Sequence, residues 1–316
     1  MKRSLTTLAV ALSFVLCLSV APMLAQGPDA YSRIMQIANN YIFVPNITYL
    51  TASGYDSKLD IYRPRNINGP NPTLVFFHGG GWTGGSKESN TFTQLPWLDM
   101  GWTVVNVEYR LGSVALAPAA AEDARCVLRW IYRNAKQYNF DTTKIVVTGQ
   151  SAGGHLALMA GMVPSSAGFE RICPGDRGPG PTSTEEMKVA AIINWYGITD
   201  IAELLSGPNM RSYALAWLGN VPNRDDLAKQ LSPLTYVRPG LPPILSVQGD
   251  QDPTVPYSHS VRLHAALTKA NVPNQHVTIP GGKHGGFTDA EMLKAYADIR
   301  SFLQKHDIVR QTVKNP

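Results

Sequence analysis

The chain has 316 residues, of which 44% are hydrophobic and 16% are charged, and its formal net charge is +5. This length fits one large α/β domain or two small ones, and the composition is that of a globular protein rather than a disordered one. Lysine and arginine form no run with interleaved aromatic residues, which excludes a typical nucleic-acid-binding surface.

The N-terminal segment has the layout of a secretory signal peptide. Lys2 and Arg3 form a basic start, residues 8–20 are a nearly unbroken apolar run, and small residues lead to Ala25. The run is short for a transmembrane helix, so we expect cleavage after Ala25 and a secreted or periplasmic protein, with an uncleaved anchor as the alternative. One domain of residues 26–316 then remains, with a net charge lowered from +5 to +3 by loss of the two basic residues. For it we expect no nucleic-acid partner and no membrane association.

The elements that follow predict a layered α/β architecture. After a short lead-in at residues 27–45, polar and apolar residues alternate at residues 47–52 and 58–62, as in two antiparallel strands. Short apolar runs, typical of strands buried on both faces of a parallel sheet, then occur at residues 74–77, 104–107, 145–147, 189–193 and 244–247. Helical patterns occur at residues 119–137, 152–162, 259–270 and 289–305. This alternation predicts a doubly wound, mostly parallel sheet with helices on both faces.

Two segments interrupt the alternation. Residues 163–187 are rich in proline, glycine and serine and are predicted to form a long loop, and residues 201–230 read as short inserted helices. Both could cover the carboxyl edge of the sheet, where ligands bind in this architecture.

Two cysteines remain after signal cleavage removes Cys17. In an exported protein, Cys126 and Cys173 are candidates for one disulfide that ties a helix to a loop, and two separate buried thiols are the alternative. Neither cysteine has a partner at ligand spacing, so we expect no metal site.

The motif "GQSAGG", which begins at Gly149, lies directly between a predicted strand and a predicted helix. This is the context that a nucleophilic serine requires, because a sharp turn there points the Oγ atom of Ser151 out of the sheet edge. The small side chain of Ala152 leaves its own N–H group accessible at the helix start, where it can stabilise an oxyanion. An ordinary glycine-rich turn is the alternative interpretation.

A nucleophilic serine needs a base and an orienting carboxylate. Of the seven histidines, His284 lies in a glycine-flanked loop after the last strand, from which it can reach Ser151 on another loop. Asp250 and Asp252 both follow the strand run at residues 244–247. Asp250 ends the strand and could cap the turn, whereas Asp252 lies further out on the loop. We therefore favour Asp252 and keep Asp250 as the alternative.

A second glycine-rich stretch, "HGGGWTGGSK", starts at His78 after the strand run at residues 74–77. Gly80 and Gly85 have the spacing of a phosphate-binding loop, but the serine precedes the lysine, which is the wrong order for that motif. We expect instead that backbone N–H groups of this loop meet a tetrahedral oxyanion, because glycine lets the backbone approach closely.

Together these stretches resemble the α/β-hydrolase superfamily, and more closely the hormone-sensitive-lipase-like esterases, including secreted bacterial acetylxylan and feruloyl esterases. The resemblance covers residues 47–302 and is carried by "LDIYRP", "HGGGW", "EYRL", "GQSAGGHLA", "YGITD", "SPLTYV", "GDQDPTVP" and "GGKHGG". It implies an α/β-hydrolase fold with a sheet of about eight strands and, given the short lead-in, a small cap or none.

The resemblance also implies roles for individual residues. Ser151 is the nucleophile, Asp252 the orienting acid and His284 the base, in the chain order of these hydrolases. Gly80 and Gly81 join Ala152 as oxyanion donors, whereas His78 and Asp200 are structural. No metal or organic cofactor is needed.

These inferences predict a serine carboxylesterase that acts on a small-molecule or polysaccharide ester, such as an acetyl or feruloyl ester of plant polysaccharide. Trp82, Trp195 and Trp217 lie near the site and are candidates for binding an aromatic acyl group or a sugar, with core packing as the alternative for Trp195 and Trp217. A peptidase or amidase using the same triad is the rival enzyme, and a non-catalytic binding module is the rival without activity.

Overall fold

The computed structural model describes residues 30–174 and 187–309. The predicted signal peptide and residues 175–186 of the predicted loop lie outside the described residues.

Eight strands form one sheet in the order β1-β2-β4-β3-β5-β6-β7-β8. The strands are β1 (Tyr41–Ala52), β2 (Tyr55–Pro64), β3 (Asn71–Phe77), β4 (Thr103–Val107), β5 (Phe140–Gln150), β6 (Ala191–Trp195), β7 (Ile244–Gly249) and β8 (Asn274–Ile279). Strand β2 is antiparallel to both of its neighbours, and all the other pairs are parallel. The predicted mostly parallel sheet of about eight strands is confirmed.

Helices cover both faces of this sheet. They are α1 (Ala30–Asn40), α2 (Leu95–Asp99), α3 (Ala119–Arg133), α4 (Ala135–Tyr138), α5 (Ala152–Met162), α6 (Ser212–Leu218), α7 (Arg224–Gln230), α8 (Ser258–Lys269) and α9 (Asp289–Lys305). One apolar core lies between the sheet and α3, α5 and α8, and a second lies between the opposite face and α2 and α9. No helix within the described residues is both long and apolar enough to cross a membrane.

The sequence pattern missed the length of the first hairpin. Strands β1 and β2 pair from Tyr41 and Pro64 onward, well outside the predicted strands. The pairing register shifts between Val44 and Ile47 and again between Thr48 and Leu50. Such shifts break the alternation of inward and outward side chains, so a period of two cannot be followed across them.

The helical predictions are confirmed with small changes at the ends. The predicted helix at residues 119–137 is divided at Asn134 into α3 and α4, and α4 is followed by Asn139, whose φ is 57°. The insertion predicted at residues 201–230 forms α6, α7 and two short 3₁₀ turns.

A disulfide joins Cys126 of α3 to Cys173, with 5.0 Å between the two Cα atoms. Beside it, the buried carboxylate of Glu170 accepts hydrogen bonds from the guanidinium groups of Arg125 and Arg129. The segment that precedes residue 174 is therefore tied to α3 by a covalent bond and by buried ion pairs.

Candidate active site

The carboxyl ends of the parallel strands bring the predicted site residues to one edge of the sheet. Ser151 lies between β5 and α5 with φ of 56° and ψ of −120°, a conformation that non-glycine residues rarely adopt. Its N–H group donates to the carbonyl of Trp195 at 2.9 Å, which holds the turn against the end of β6.

The flanking glycines make this turn sterically feasible. A Cβ atom at Gly153 would lie 2.0 Å from the carbonyl oxygen of Phe77, and one at Gly149 would lie 2.4 Å from the backbone of Gly153. Helix α5 can therefore pack against the end of β3 only because these two positions have no side chain.

His284 connects Ser151 to Asp252. Its Nε2 atom lies 2.8 Å from the Oγ atom of Ser151, and its Nδ1 atom lies 2.8 Å from Oδ2 of Asp252. A carboxylate accepts hydrogen bonds, so Nδ1 carries the proton and Nε2 is free to accept one from the serine hydroxyl. The geometry brings the three residues together in the arrangement of a nucleophile, a general base and an orienting acid.

The carboxylate of Asp252 has no exposed surface and is fully hydrogen-bonded. Oδ1 accepts from the N–H groups of Thr254 and Val255 at 2.8 and 3.0 Å, and Oδ2 accepts from Gln248 at 3.2 Å as well as from His284. Burial alone would raise the pKa of Asp252, but the hydrogen bonds from His284 and the backbone outweigh it and hold this pKa below its ordinary value. The group is thus kept ionised.

Asp250, the alternative acid, has a different partner. Its Oδ1 atom accepts a hydrogen bond at 2.7 Å from the N–H group of Gly281, in the loop that carries His284. Asp250 therefore stabilises the histidine loop, and Asp252 is the carboxylate that faces the imidazole.

Gln248 is a site residue that the sequence reasoning missed. This fully buried side chain in β7 donates to Asp252 and to the carbonyl of Val255, and it accepts from the hydroxyl of Ser260. The available signal was a polar residue that ends the apolar run of β7, because a polar group on a central strand needs buried partners.

An aromatic side chain packs against the base. The ring of Tyr196 meets that of His284 edge-on, with 4.7 Å between centroids, and Phe287 packs edge-on against Tyr196. Burial raises the pKa of Tyr196 above its ordinary value, so this hydroxyl stays neutral. The ring restricts the orientation of the imidazole.

The glycine-rich loop that carries the predicted donors Gly80 and Gly81 meets the serine turn at Gly79. A Cβ atom at Gly79 would be 3.1 Å from the carbonyl oxygen of Gln150 and 3.6 Å from Cβ of Ser151, so the glycine backbone lies directly against the turn. Gly80 and Gly81 have φ of 122° and 59°, in the region that favours glycine. Within residues 30–174 and 187–309, the N–H groups of Gly80, Gly81 and Ala152 have no protein acceptor.

Buried polar groups fix both ends of this glycine-rich loop. At its start, Nδ1 of His78 donates to the carbonyl of Gly79 at 2.7 Å, and its ring stacks on Tyr109 at 4.3 Å. At its end, the ammonium group of Lys87 lies 2.9 Å from Asp60, both side chains being buried. The N–H group of Lys87 also donates to Glu108 at 2.7 Å. His78 thus has the structural role expected of it.

Asp200 likewise makes structural contacts. Its Oδ2 atom lies 2.9 Å from the guanidinium group of Arg262, and Oδ1 accepts from the N–H group of Glu203. These contacts hold the inserted segment against α8.

The three candidate tryptophans are core residues. Trp82 and Trp217 have no exposed surface, and Trp195 is 4% exposed. This burial corrects the prediction that they contact substrate, because rings with at most 4% of their surface exposed offer almost no area to a ligand. Sequence position placed them beside the site but did not show that Trp82 and Trp217 stack on each other, with 4.1 Å between centroids.

Comparisons with known proteins bear on this site. The BD-FAE family model matches residues 59–267. Esterase LipQ of Mycobacterium tuberculosis is 28% identical to this chain over 241 residues, which are 73% of this chain and 54% of LipQ. The chain therefore spans about half the length of such curated relatives.

Two solved structures are similar over most of the chain. A truncated form of a carbohydrate esterase from gut microbiota superposes with a TM-score of 0.69 at 26% identity, covering 84% of this chain and 96% of that one. An esterase of Thermogutta terrifontis, Est2, in a structure with propionate bound, gives a TM-score of 0.69 at 27% identity and the same coverage of both chains.

Proposed function

Because this chain belongs to the BD-FAE family and has the α/β-hydrolase fold, we propose that it is a serine carboxylesterase that works through an acyl-enzyme. The hydrogen-bonded line from Asp252 through His284 to Ser151 is the observation that carries the proposal. The relatives named as esterases support it as well.

In the first half of the reaction, Oγ of Ser151 attacks the ester carbonyl while Nε2 of His284 takes the hydroxyl proton. The imidazolium that forms is stabilised by the carboxylate of Asp252, which is already ionised and hydrogen-bonded. The N–H groups of Gly80, Gly81 and Ala152 donate to the oxygen that becomes negatively charged, and removal of one such donor typically costs about 10²–10³ in turnover.

In the second half, His284 returns its proton to the leaving alcohol. Water then enters, His284 takes a proton from it, and the resulting hydroxide attacks the acyl carbonyl on Ser151. Collapse of the second tetrahedral intermediate releases the carboxylic acid and restores the serine hydroxyl. The chain's own residues supply every proton transfer in this scheme.

The proposed substrates are esters of plant polysaccharide with an acetyl or feruloyl acyl group, met outside the cytoplasm. The similarity to a carbohydrate esterase supports this substrate class. The signal-peptide pattern supports export, as does the disulfide between Cys126 and Cys173, because such bonds persist in oxidising compartments. N-terminal sequencing of the mature protein tests cleavage after Ala25, and an intact N-terminus would contradict it.

The decisive experiment measures hydrolysis of p-nitrophenyl acetate, a longer-chain ester and an aminoacyl anilide by the purified protein. We expect ester hydrolysis to exceed anilide hydrolysis. We expect Ser151→Ala to lower turnover by on the order of 10⁶-fold, as removal of a triad nucleophile does. Ser258→Ala, which changes an exposed serine at the start of α8, is the matched control and should behave as the wild type.

Two results would reject the carboxylesterase proposal: no cleavage of any ester by the wild type, or equal activity in Ser151→Ala. Faster cleavage of the anilide than of the esters would favour an amidase. Acetylated xylan and methyl ferulate then discriminate between the two acyl groups.

A further inference from the structure

Trp82 occupies an unusual position for a fully buried side chain. It directly follows Gly81 in the glycine-rich loop, and its backbone φ is 59°. A bulky residue in this conformation is strained, so the surrounding contacts must hold it in place.

The carbonyl of Trp82 accepts a hydrogen bond from the N–H group of Gly112 at 2.8 Å, and the indole side chain bonds to the helix that carries the nucleophile. Its indole Nε1–H group donates to Nδ1 of His155 at 3.2 Å, and Nε2 of His155 donates to the carbonyl of Leu231 at 2.7 Å. His155 lies one turn after Ser151 in α5, and its N–H group donates to the carbonyl of Ser151 at 3.0 Å. One imidazole therefore links the glycine-rich loop, the nucleophile helix and the segment after α7.

This role requires a neutral imidazole with its proton on Nε2, because Nδ1 must accept from Trp82. The ring of His155 is fully buried, and burial lowers its pKa from 6.5 to about 4. His155 is thus neutral at physiological pH.

Aromatic packing makes the link stiff. Trp217 of α6 stacks on Trp82 at an interplanar angle of 15°, and the His155 ring meets both indoles edge-on, at 5.0 and 5.6 Å between centroids. Such arrangements favour one relative orientation of the rings.

We propose that the hydrogen bond from Trp82 to His155 positions the oxyanion loop relative to Ser151, which makes both residues positioning residues for the proposed esterase reaction. The expected effect on kcat rests on the proposed function, whereas the contact between the two side chains does not. Consecutive glycines have no side chains that could hold the loop, and Trp82 is the first large side chain after Gly80 and Gly81. Oxyanion donors must keep their distance from the developing charge to a few tenths of an ångström, so a loose loop lowers turnover.

The test compares two substitutions of His155 whose activities should rank differently according to whether the hydrogen bond or the packing of the ring holds the loop. His155→Phe keeps a ring of similar size but removes the acceptor, whereas His155→Asn loses the ring and keeps an acceptor atom at the place of Nδ1. If the hydrogen bond positions the loop, Phe lowers kcat about tenfold to 100-fold with KM within threefold, and Asn retains more activity than Phe. If packing alone matters, Phe is the better replacement, and that ranking would overturn the proposal.

His264→Phe is the matched control. His264 is also buried, also has its pKa lowered to about 4, and contacts Asn274 in place of a loop residue, with 2.9 Å between Nδ1 and Oδ1. We expect its kcat to equal that of the wild type.

A double-mutant cycle isolates the contact. Trp82→Phe and His155→Phe should each lower kcat, and the double variant should be no worse than the more affected single variant, because one hydrogen bond is lost in all three. Losses that multiply would show that the two residues act independently, against the proposal.

Hydrogen–deuterium exchange followed by mass spectrometry gives a readout that needs no activity. We expect peptides covering residues 78–86 to exchange about tenfold faster in His155→Phe than in the wild type and in His264→Phe. Unchanged exchange rejects the positioning role even in an active esterase. Faster exchange in His155→Phe, combined with a wild type that hydrolyses no ester, would retain the contact and reject the proposed function.

Discussion

Two turns at the carboxyl edge of the sheet face each other, and they are held in different ways. The turn around Ser151 is fixed by backbone packing between β5, α5 and β3, where two glycines allow contact at distances that no Cβ atom could accept. The glycine-rich loop from His78 to Lys87 is fixed by side chains, through contacts with Tyr109 at its start, His155 in its middle and Asp60 at its end.

Both elements serve the same proposed reaction, but the residues that specify the serine turn are neighbours in the chain, whereas those that hold the glycine-rich loop are distant from it in the chain. The serine turn is specified by six consecutive residues, so any change within it should act directly and strongly. The glycine-rich loop, the proposed oxyanion loop, is held by residues 27 and 73 positions away from their contacts in the chain, Asp60 and His155. A single substitution among these contacts should lower turnover only moderately, because the remaining contacts still hold the loop.

The largest effect should come from the serine turn. Gly153→Ala would place a Cβ atom 2.0 Å from the carbonyl oxygen of Phe77, so α5 or β3 must shift. A displacement of about 1 Å at a nucleophile costs about 10² or more in kcat/KM, and we expect at least this loss.

Gly84→Ala is the control within the oxyanion loop. There the nearest atom to an added Cβ is 3.8 Å away, and activity should remain within about threefold of the wild type. Equal tolerance of both substitutions, measured with p-nitrophenyl acetate, would show that the serine turn is not fixed by backbone packing.

A smaller loss of turnover should follow from Lys87→Met at the end of the oxyanion loop. Burial alone would lower the pKa of Lys87, but the hydrogen bonds that its ammonium group donates to Glu88 and Asp60 outweigh burial and raise this pKa, so the group stays charged. The substitution leaves the buried Asp60 carboxylate without its cation, which costs about 3 kcal/mol of unfolding free energy or more. Because other contacts still hold the loop, we expect kcat to fall only about tenfold.

Urea unfolding and steady-state kinetics measure both effects of Lys87→Met. Glu88→Gln removes the exposed partner of Lys87 and should change stability by less than about 1 kcal/mol. Asp60→Asn in the Lys87→Met background should recover part of the lost stability, since it removes the unpaired charge. If Glu88→Gln were the more damaging change, the buried pair would not be what anchors the loop.

The same contrast explains which features could be predicted from the sequence and which could not. Ser151 and its glycines form a contiguous pattern, and the strand–turn–helix context around them was predictable from apolar runs. The partners of Trp82 and Lys87 were not, because no short-range pattern reports which distant side chain fills the space beside a buried residue. Gln248 left a signal as a polar residue at the end of an apolar run, but its partners Asp252 and Ser260 could not be predicted for the same reason. The three tryptophans were misread because nearness along the chain does not determine exposure.

The smallest expected effect is that of acid pH. It should lower the free energy of unfolding measurably, while turnover near neutral pH stays unchanged. Burial lowers the pKa values of His155, His259 and His264 from 6.5 to about 4 each. Between these values the unfolded chain binds protons that the folded chain does not, so the free energy of unfolding is highest above pH 6.5 and falls as the pH decreases toward 4. Each histidine contributes up to about 1.4 kcal/mol per pH unit in that window.

Urea titrations at pH 7 and pH 4.5 measure this slope, and His264→Phe and His155→Phe should each flatten it. Only His155→Phe should also remove the increase in exchange of residues 78–86 that acid causes in the wild type, because a protonated Nδ1 of His155 cannot accept from Trp82 and this variant has no imidazole to protonate. A stability that is constant from pH 7 to pH 4.5 would mean that these histidines take up protons in the folded chain as readily as in the unfolded chain, and the bond from Trp82 to His155 would then be lost already below about pH 6.5.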